Sequence, residues 1–159
     1  MAAGAEPREV YRIAADMERQ GEQLYARLAE NPGDDARKEL FLYLAAEEAE
    51  HLKRMEELAR DAESFAPPGY YDPERAMELL RGYRSVFDAD RLEPERERNH
   101  SLHDAVDFAI RREMDSIMFY HEAEMVVPKS SKKALEQIID EERKHFSELS
   151  ALREHMRRG

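Results

Sequence analysis

Two short runs of this chain, "EEAEHL" (47–52) and "EERKHF" (141–146), repeat the pattern Glu-Glu-x-x-His-apolar at an offset of 94. A Glu three residues ahead of a His projects from the same helix face as that His. Carboxylate and neutral imidazole together suit iron, manganese or zinc. A second repeat accompanies the first. "AADMERQGEQLY" (14–25) aligns with "AIRREMDSIMFY" (109–120) at an offset of 95, and each places a Glu seven residues before a Tyr. The candidate ligands are therefore Glu18, Glu48, His51, Glu113, Glu142 and His145.

All six interrupt apolar stripes of helical spacing. The stripes read Tyr11, Ala14, Glu18, Gly21, Tyr25, Leu28; Phe41, Leu44, Glu48, His51, Met55, Leu58; Val106, Ile110, Glu113, Ile117, Tyr120; and Leu135, Ile138, Glu142, His145, Leu149, Leu152, Met156. Each Glu falls about eleven to fourteen residues from its helix start, roughly 16–21 Å along the axis. Antiparallel helices of similar length would bring all of them to mid-bundle. Burying four like charges costs several kcal/mol per ion, which two divalent cations would offset with four positive charges. A metal-free bundle whose core glutamates are protonated or hydrogen-bonded is the alternative. Ligation requires unprotonated Glu and His, so acid should release the metal.

Other residues carry less. Glu47 and Glu141 precede the stripe and either face solvent or act as acceptors behind the ligands. Tyr25 and Tyr120 read as core residues whose hydroxyls could bind a ligand carboxylate. His103 reads as structural. Met17, Met55, Met77, Met114, Met118, Met125 and Met156 read as core or interface filler. A third Glu-x-x-His, Glu97 to His100, lies on no apolar stripe and is attributed to chance.

The elements that must position these groups are four helices, about 7–30, 34–61, 101–126 and 130–157. Pro7 suits a first turn, Asp34 or Asp35 a cap, and Ser101 with Asp104 a capping box. A long segment, 62–100, separates two helical hairpins; its "PERAMELLRGYRSVF" could form a short helix. Such a connection needs a job, and carrying the chain along a bundle to begin a second hairpin is one. The expected architecture is all-α, one domain over 1–159: two hairpins of one design joined by a crossover, as in ferritin-like folds. Tyr70, Tyr71, Tyr83, Val86 and Phe87 could cover a dimer seam or their own bundle.

Composition narrows the function classes. A net charge of −11 argues against nucleic-acid and anionic-membrane partners. With no Cys, thiolate-built zinc and iron–sulfur sites are excluded. No run is long and apolar enough for a membrane span, and the opening residues show no apolar signal core, so a cytoplasmic location is expected.

With these motifs on the page, "ADMERQGEQLYARLAE", "LAAEEAEHLKRM", "AIRREMDSIMFY" and "IIDEERKHFSEL" resemble the rubrerythrin family of the ferritin-like superfamily, specifically its short members without a rubredoxin domain. The resemblance implies two iron ions, with manganese or zinc as substitutes. Glu18 and Glu113 would each ligate one ion, Glu48 and Glu142 would bridge both, and His51 and His145 would each complete one site. It also implies an oxidoreductase acting on O2 or hydrogen peroxide with oxidation of ferrous iron, and a homodimer. Two departures stand out. Without Cys the reductant must be external, and Ser116 occupies the position where peroxide-reducing members place a second Glu that exchanges with a His. An iron-handling or iron-sensing module with little turnover, with a partner docking near "GYRSVF", and a purely structural bundle are the competing readings.

Overall fold

The protein is described by a computed structural model covering residues 6–69, 72–86 and 101–159. Tyr70, Tyr71, Phe87 and the Glu97–His100 copy lie outside the described residues. Among the described residues five helices follow in order: α1 (Pro7–Glu30), α2 (Asp35–Asp61), α3 (Pro73–Val86), α4 (Leu102–Ala123) and α5 (Lys129–Arg158). α1 pairs with α2 and α4 with α5, giving the two hairpins of an all-α bundle.

Local chemistry sets the helix ends. Pro7 opens α1, where its missing N–H costs nothing. Gly33 closes the Asn31-Pro32-Gly33 turn at φ 92°, a backbone that side chains with a Cβ resist. The Asp34 carboxylate then accepts from the Arg37 N–H at 2.9 Å and caps α2. Ser101 and Asp104 form a reciprocal capping box at the start of α4. α4 stops at Ala123, short of 126, and α5 begins at Lys129 behind Pro128. Ser131 is thereby drawn inside α5, where its hydroxyl accepts from Tyr11 at 2.7 Å.

The crossover contains α3, whose apolar face (Ala76, Met77, Leu80) is buried against α1 and α4. Asp72 caps it through the amides of Glu74 and Arg75 at 3.1 and 3.2 Å. Tyr83, half-buried, meets Phe119 edge-on with ring centroids 5.5 Å apart. This connection therefore does more than span the bundle: it roofs the α1/α4 face.

The core is split in two. One apolar cluster includes Tyr11, Met17, Met55, Phe119, Leu135 and Ile138; the other includes Tyr25, Phe41, Leu44, Val106, Leu149 and Met156. Along every bundle helix the candidate ligands fall between a residue of one cluster and a residue of the other. The apolar plugs seal a polar mid-section. Met17, Met55, Met77 and Met156 fill core, whereas Met114, Met118 and Met125 are exposed. His103 faces the Met156 carbonyl across the α4–α5 hairpin.

Truncating a fully buried leucine leaves a cavity and removes about 2–5 kcal/mol. Leu80→Ala should therefore lower stability by about 2–5 kcal/mol in urea unfolding. A change under about 0.5 kcal/mol would mean α3 is not part of the core.

Candidate metal centre

Glu18, Glu48, His51, Glu113, Glu142 and His145 are all fully buried, and they meet in the sealed mid-section. Glu18 comes from α1, Glu48 and His51 from α2, Glu113 from α4, and Glu142 and His145 from α5. Each Glu-x-x-His pair lies on one face because residues three apart are neighbours on a helix.

The contacts follow the repeat. His51 Nδ1 lies 3.1 Å from Glu142 Oε1 and 3.6 Å from Glu18 Oε2. His145 Nδ1 lies 3.4 Å from Glu48 Oε1, 3.4 Å from Glu142 Oε2 and 3.9 Å from Glu113 Oε2. The two imidazoles stack with centroids 5.6 Å apart. Each group is braced from the other hairpin. The Tyr25 hydroxyl donates to Glu113, and the Tyr120 hydroxyl donates to Glu18. Behind the imidazoles, Glu141 Oε2 sits 2.8 Å from His51 Nε2, and Glu47 Oε2 sits 3.9 Å from His145 Nε2. Glu47 and Glu141, about one-third exposed, thus stand behind the histidines at the edge of solvent.

The sequence reading missed Arg112. It is 5% exposed, with Nη1 3.5 Å from Glu48 Oε2, and it donates through Nη2 to the Met17 carbonyl. Gly21 makes the room: a Cβ there would come within 2.4 Å of Glu48 Oε2 and 2.5 Å of Arg112 Nη2. A mid-helix Gly costs about 1 kcal/mol relative to Ala, so its presence on the apolar stripe was the available signal. Arg112 also corrects the charge balance expected above. The buried cluster carries four carboxylates and one guanidinium, so two divalent cations more than neutralise it.

With no cation bound, protons must share the neutralising. Burial, together with the charges of Glu142 and Glu18, pushes Glu48 up to about 8. Burial and Glu142 hold Glu113 well above the carboxylate range. Burial alone would raise Glu142, but its close neighbours Glu113, His145 and His51 hold it well below that range. Burial alone would lower the histidines, yet Glu142 and Glu18 push His51 up to about 12, and Glu142 and Glu48 push His145 up to about 9. Tyr25 and Tyr120 are raised well above their usual range by burial and nearby carboxylates, so they stay neutral donors.

Protons do not complete the arrangement. Glu18 Oε2, Glu48 Oε1, Glu113 Oε2, Glu142 Oε2 and His145 Nδ1 are buried without a hydrogen-bond partner, and each such orphan costs about 1–3 kcal/mol. The donor atoms fall into two overlapping groups, Glu18/Glu48/His51/Glu142 and Glu48/Glu113/Glu142/His145, each within a 4.8 Å span. Ligands about 2.0–2.2 Å from one ion lie up to roughly 4 Å apart, so slight contraction of each group would accommodate a cation. The donor set fits a pair of divalent ions that share Glu48 and Glu142.

Comparison with known proteins gives the family and the fold. The family model described as Rubrerythrin matches residues 9–153. A search of curated proteins finds no match. Among solved structures, a Thermotoga maritima protein described as ferritin-like diiron-carboxylate is similar in fold. Its TM-score is 0.70 at 23% identity, covering 97% of this chain and 98% of that one. No described helix is long and apolar enough to cross a membrane.

Raised folded-state values mean that the cation-free protein binds more protons than the unfolded chain, so raising pH costs it stability. The relevant window runs from the ordinary carboxylate and imidazole values up through about 8 for Glu48 and about 9 for His145. With chelator, stability in urea should fall from pH 6 to pH 9. Loading with Co²⁺ should reverse the slope, because protons then compete with the cation. Parallel profiles with and without Co²⁺ would contradict this account.

Proposed function

The chain belongs to the rubrerythrin family, and on that premise we propose that it is a non-haem di-iron oxidoreductase that reduces hydrogen peroxide or O2 while oxidising ferrous iron. The observation that carries this reading is the pair of buried donor groups with Glu48 and Glu142 in common. Glu18, Glu48, His51, Glu113, Glu142 and His145 would hold the ions. When bound, a pair of ferrous ions supplies the two electrons that, with two protons, convert one peroxide to two waters.

The chain's own residues have separable tasks. Tyr25 and Tyr120 each hold one oxygen of Glu113 and Glu18, leaving Oε2 of each unpartnered within the cluster. The apolar clusters on either side exclude water, which strengthens every electrostatic interaction between them. Glu141 touches His51 Nε2 and also reaches the surface, so it can hold a proton between solvent and the imidazole. Arg54 fixes that carboxylate through contacts of 2.9 and 3.2 Å. Ser116, buried one turn after Glu113, offers no carboxylate for exchange with a His. With no Cys in the chain, electrons that restore the ferrous state come from an external donor.

Anaerobic protein loaded with ferrous iron and mixed with peroxide in a stopped-flow instrument should oxidise two ferrous ions per peroxide, faster than free iron does. Oxidation no faster than free iron would instead favour the iron-handling reading. Glu141→Ala should weaken Co²⁺ binding by roughly 10–100-fold, the usual cost of removing a carboxylate behind a ligating His. Glu47→Ala should cost less, because its contact is longer by more than an ångström. Equilibrium dialysis distinguishes the two.

A further inference from the structure

The repeat that builds the centre is inexact beside its buried ligands. At the offset of 95 that superposes α1 on α4, Gly21 corresponds to Ser116, and Met17 corresponds to Arg112. The guanidinium therefore has no twin. It lies across Gly21 and reaches one bridging carboxylate, Glu48, through Oε2.

The consequence is visible in which donor atoms are occupied. In the group around His145, five atoms lack a hydrogen-bond partner: Glu48 Oε1, Glu113 Oε2, Glu142 Oε2 and both His145 ring nitrogens, of which Nδ1 faces the carboxylates. The three oxygens stand 3.4–3.9 Å from that nitrogen. In the group around His51, Nδ1 is engaged by Glu142 Oε1 at 3.1 Å, and the second oxygen of Glu48 faces Arg112. The terminal ligands do not differ: Glu18 and Glu113 each have Oε1 taken by a tyrosine hydroxyl and Oε2 unpartnered. The His145 group is the more open of the two, because its imidazole Nδ1 has no hydrogen-bond partner, whereas His51 Nδ1 has one.

We propose that Arg112 is a built-in cation that makes the two metal pockets unequal, so that the Glu113/His145 pocket fills first and tightly, and the Glu18/His51 pocket fills second and weakly. This rests on the metal-centre reading above. A first cation in the more open pocket uses Oε1 of Glu48 without disturbing Arg112. A second cation would compete with the Arg112 contact to Glu48 and with the His51 contact to Glu142. It also meets a cluster whose negative charge Arg112 and the first cation have already largely neutralised. A centre with one firm and one exchangeable cation can turn over its second metal without losing the first.

Anaerobic calorimetric titration of the full chain with Co²⁺, followed in parallel by visible absorption, tests this. Wild type should show two resolved steps. Glu113→Gln should abolish the tight step, and Glu18→Gln the weak one. Arg112→Met, which installs the residue found at the twin position, should tighten the weak step by roughly tenfold or more while moving the tight step far less. Arg112→Lys should keep the separation. If Arg112→Met does not fold, Arg112→Gln removes the charge while keeping a donor for the Met17 carbonyl. A weak step that fails to tighten in the neutral variants overturns the proposal, as does loss of the tight step in Glu18→Gln. Two Co²⁺ bound with equal affinity in wild type overturns it while leaving the metal centre standing. No uptake of Co²⁺ overturns both.

Discussion

Four carboxylates in an interior sealed from water must be neutralised, and the rest of the molecule is organised around that requirement. The effective penalty is several kcal/mol per buried ion, while a domain of this size is stable by only about 5–15 kcal/mol in total. Left uncompensated, the glutamates alone would exceed the whole stability of the fold. Helix register, hairpin pairing and the position of every brace follow from bringing them to one place where opposite charge can reach all of them. The two apolar clusters supply the stability, and they also create the dryness that makes neutralisation compulsory.

Three kinds of positive charge are available, and they differ in permanence. Protons on Glu48, Glu113 and the two histidines come and go with pH. Metal ions come and go with supply. Arg112 is permanent, because a guanidinium does not deprotonate in proteins. It is placed where a Cβ on Gly21 would forbid it. A fixed charge reduces the cost of the cation-free protein, and the same charge repels an incoming cation. The fold thus trades some affinity for tolerance of partial occupancy.

The centre was largely legible in the sequence because its chemistry obliges periodicity. Glu and His on an otherwise apolar stripe are costly unless they meet, so Glu48/His51 and Glu142/His145 advertise the site, and the paired Glu18 and Glu113 complete it. The tyrosines at seven residues onward fall two turns along the same face, which is why hydroxyl bonds to the carboxylates could be anticipated. Arg112 was not legible. Its row (Ala109, Arg112, Ser116, Phe119, Ala123) runs beside the glutamate stripe and is equally buried, but an Arg next to Arg111 reads as solvated surface. Only the missing side chain at Gly21, on another helix, reveals that a long one fills the gap. Likewise Glu47 and Glu141 occupy equivalent positions of the Glu-Glu-x-x-His repeat, and only the three-dimensional packing separates a 2.8 Å contact from a 3.9 Å one. The exposed Met114 and Met118 lie on the outer face of α4, a distinction that residue type alone does not make.

Approximate two-fold symmetry gives the centre two different sides. Toward α1 and α4, Tyr25 and Tyr120 are wholly buried, and α3 packs over those two helices through Met77 and Leu80. Toward α2 and α5, the groups behind the imidazoles are Glu47 and Glu141, each about one-third exposed. A charged or polar species entering from the first side would cross apolar packing with no partner, at a cost of several kcal/mol. From the second side it meets carboxylates already in contact with water and with the histidines. The α2/α5 side is therefore the one on which groups touching the histidines also meet water, with Arg54 paired to Glu141 at the surface. The α1/α4 side acts instead as the rigid wall against which the ligands are held.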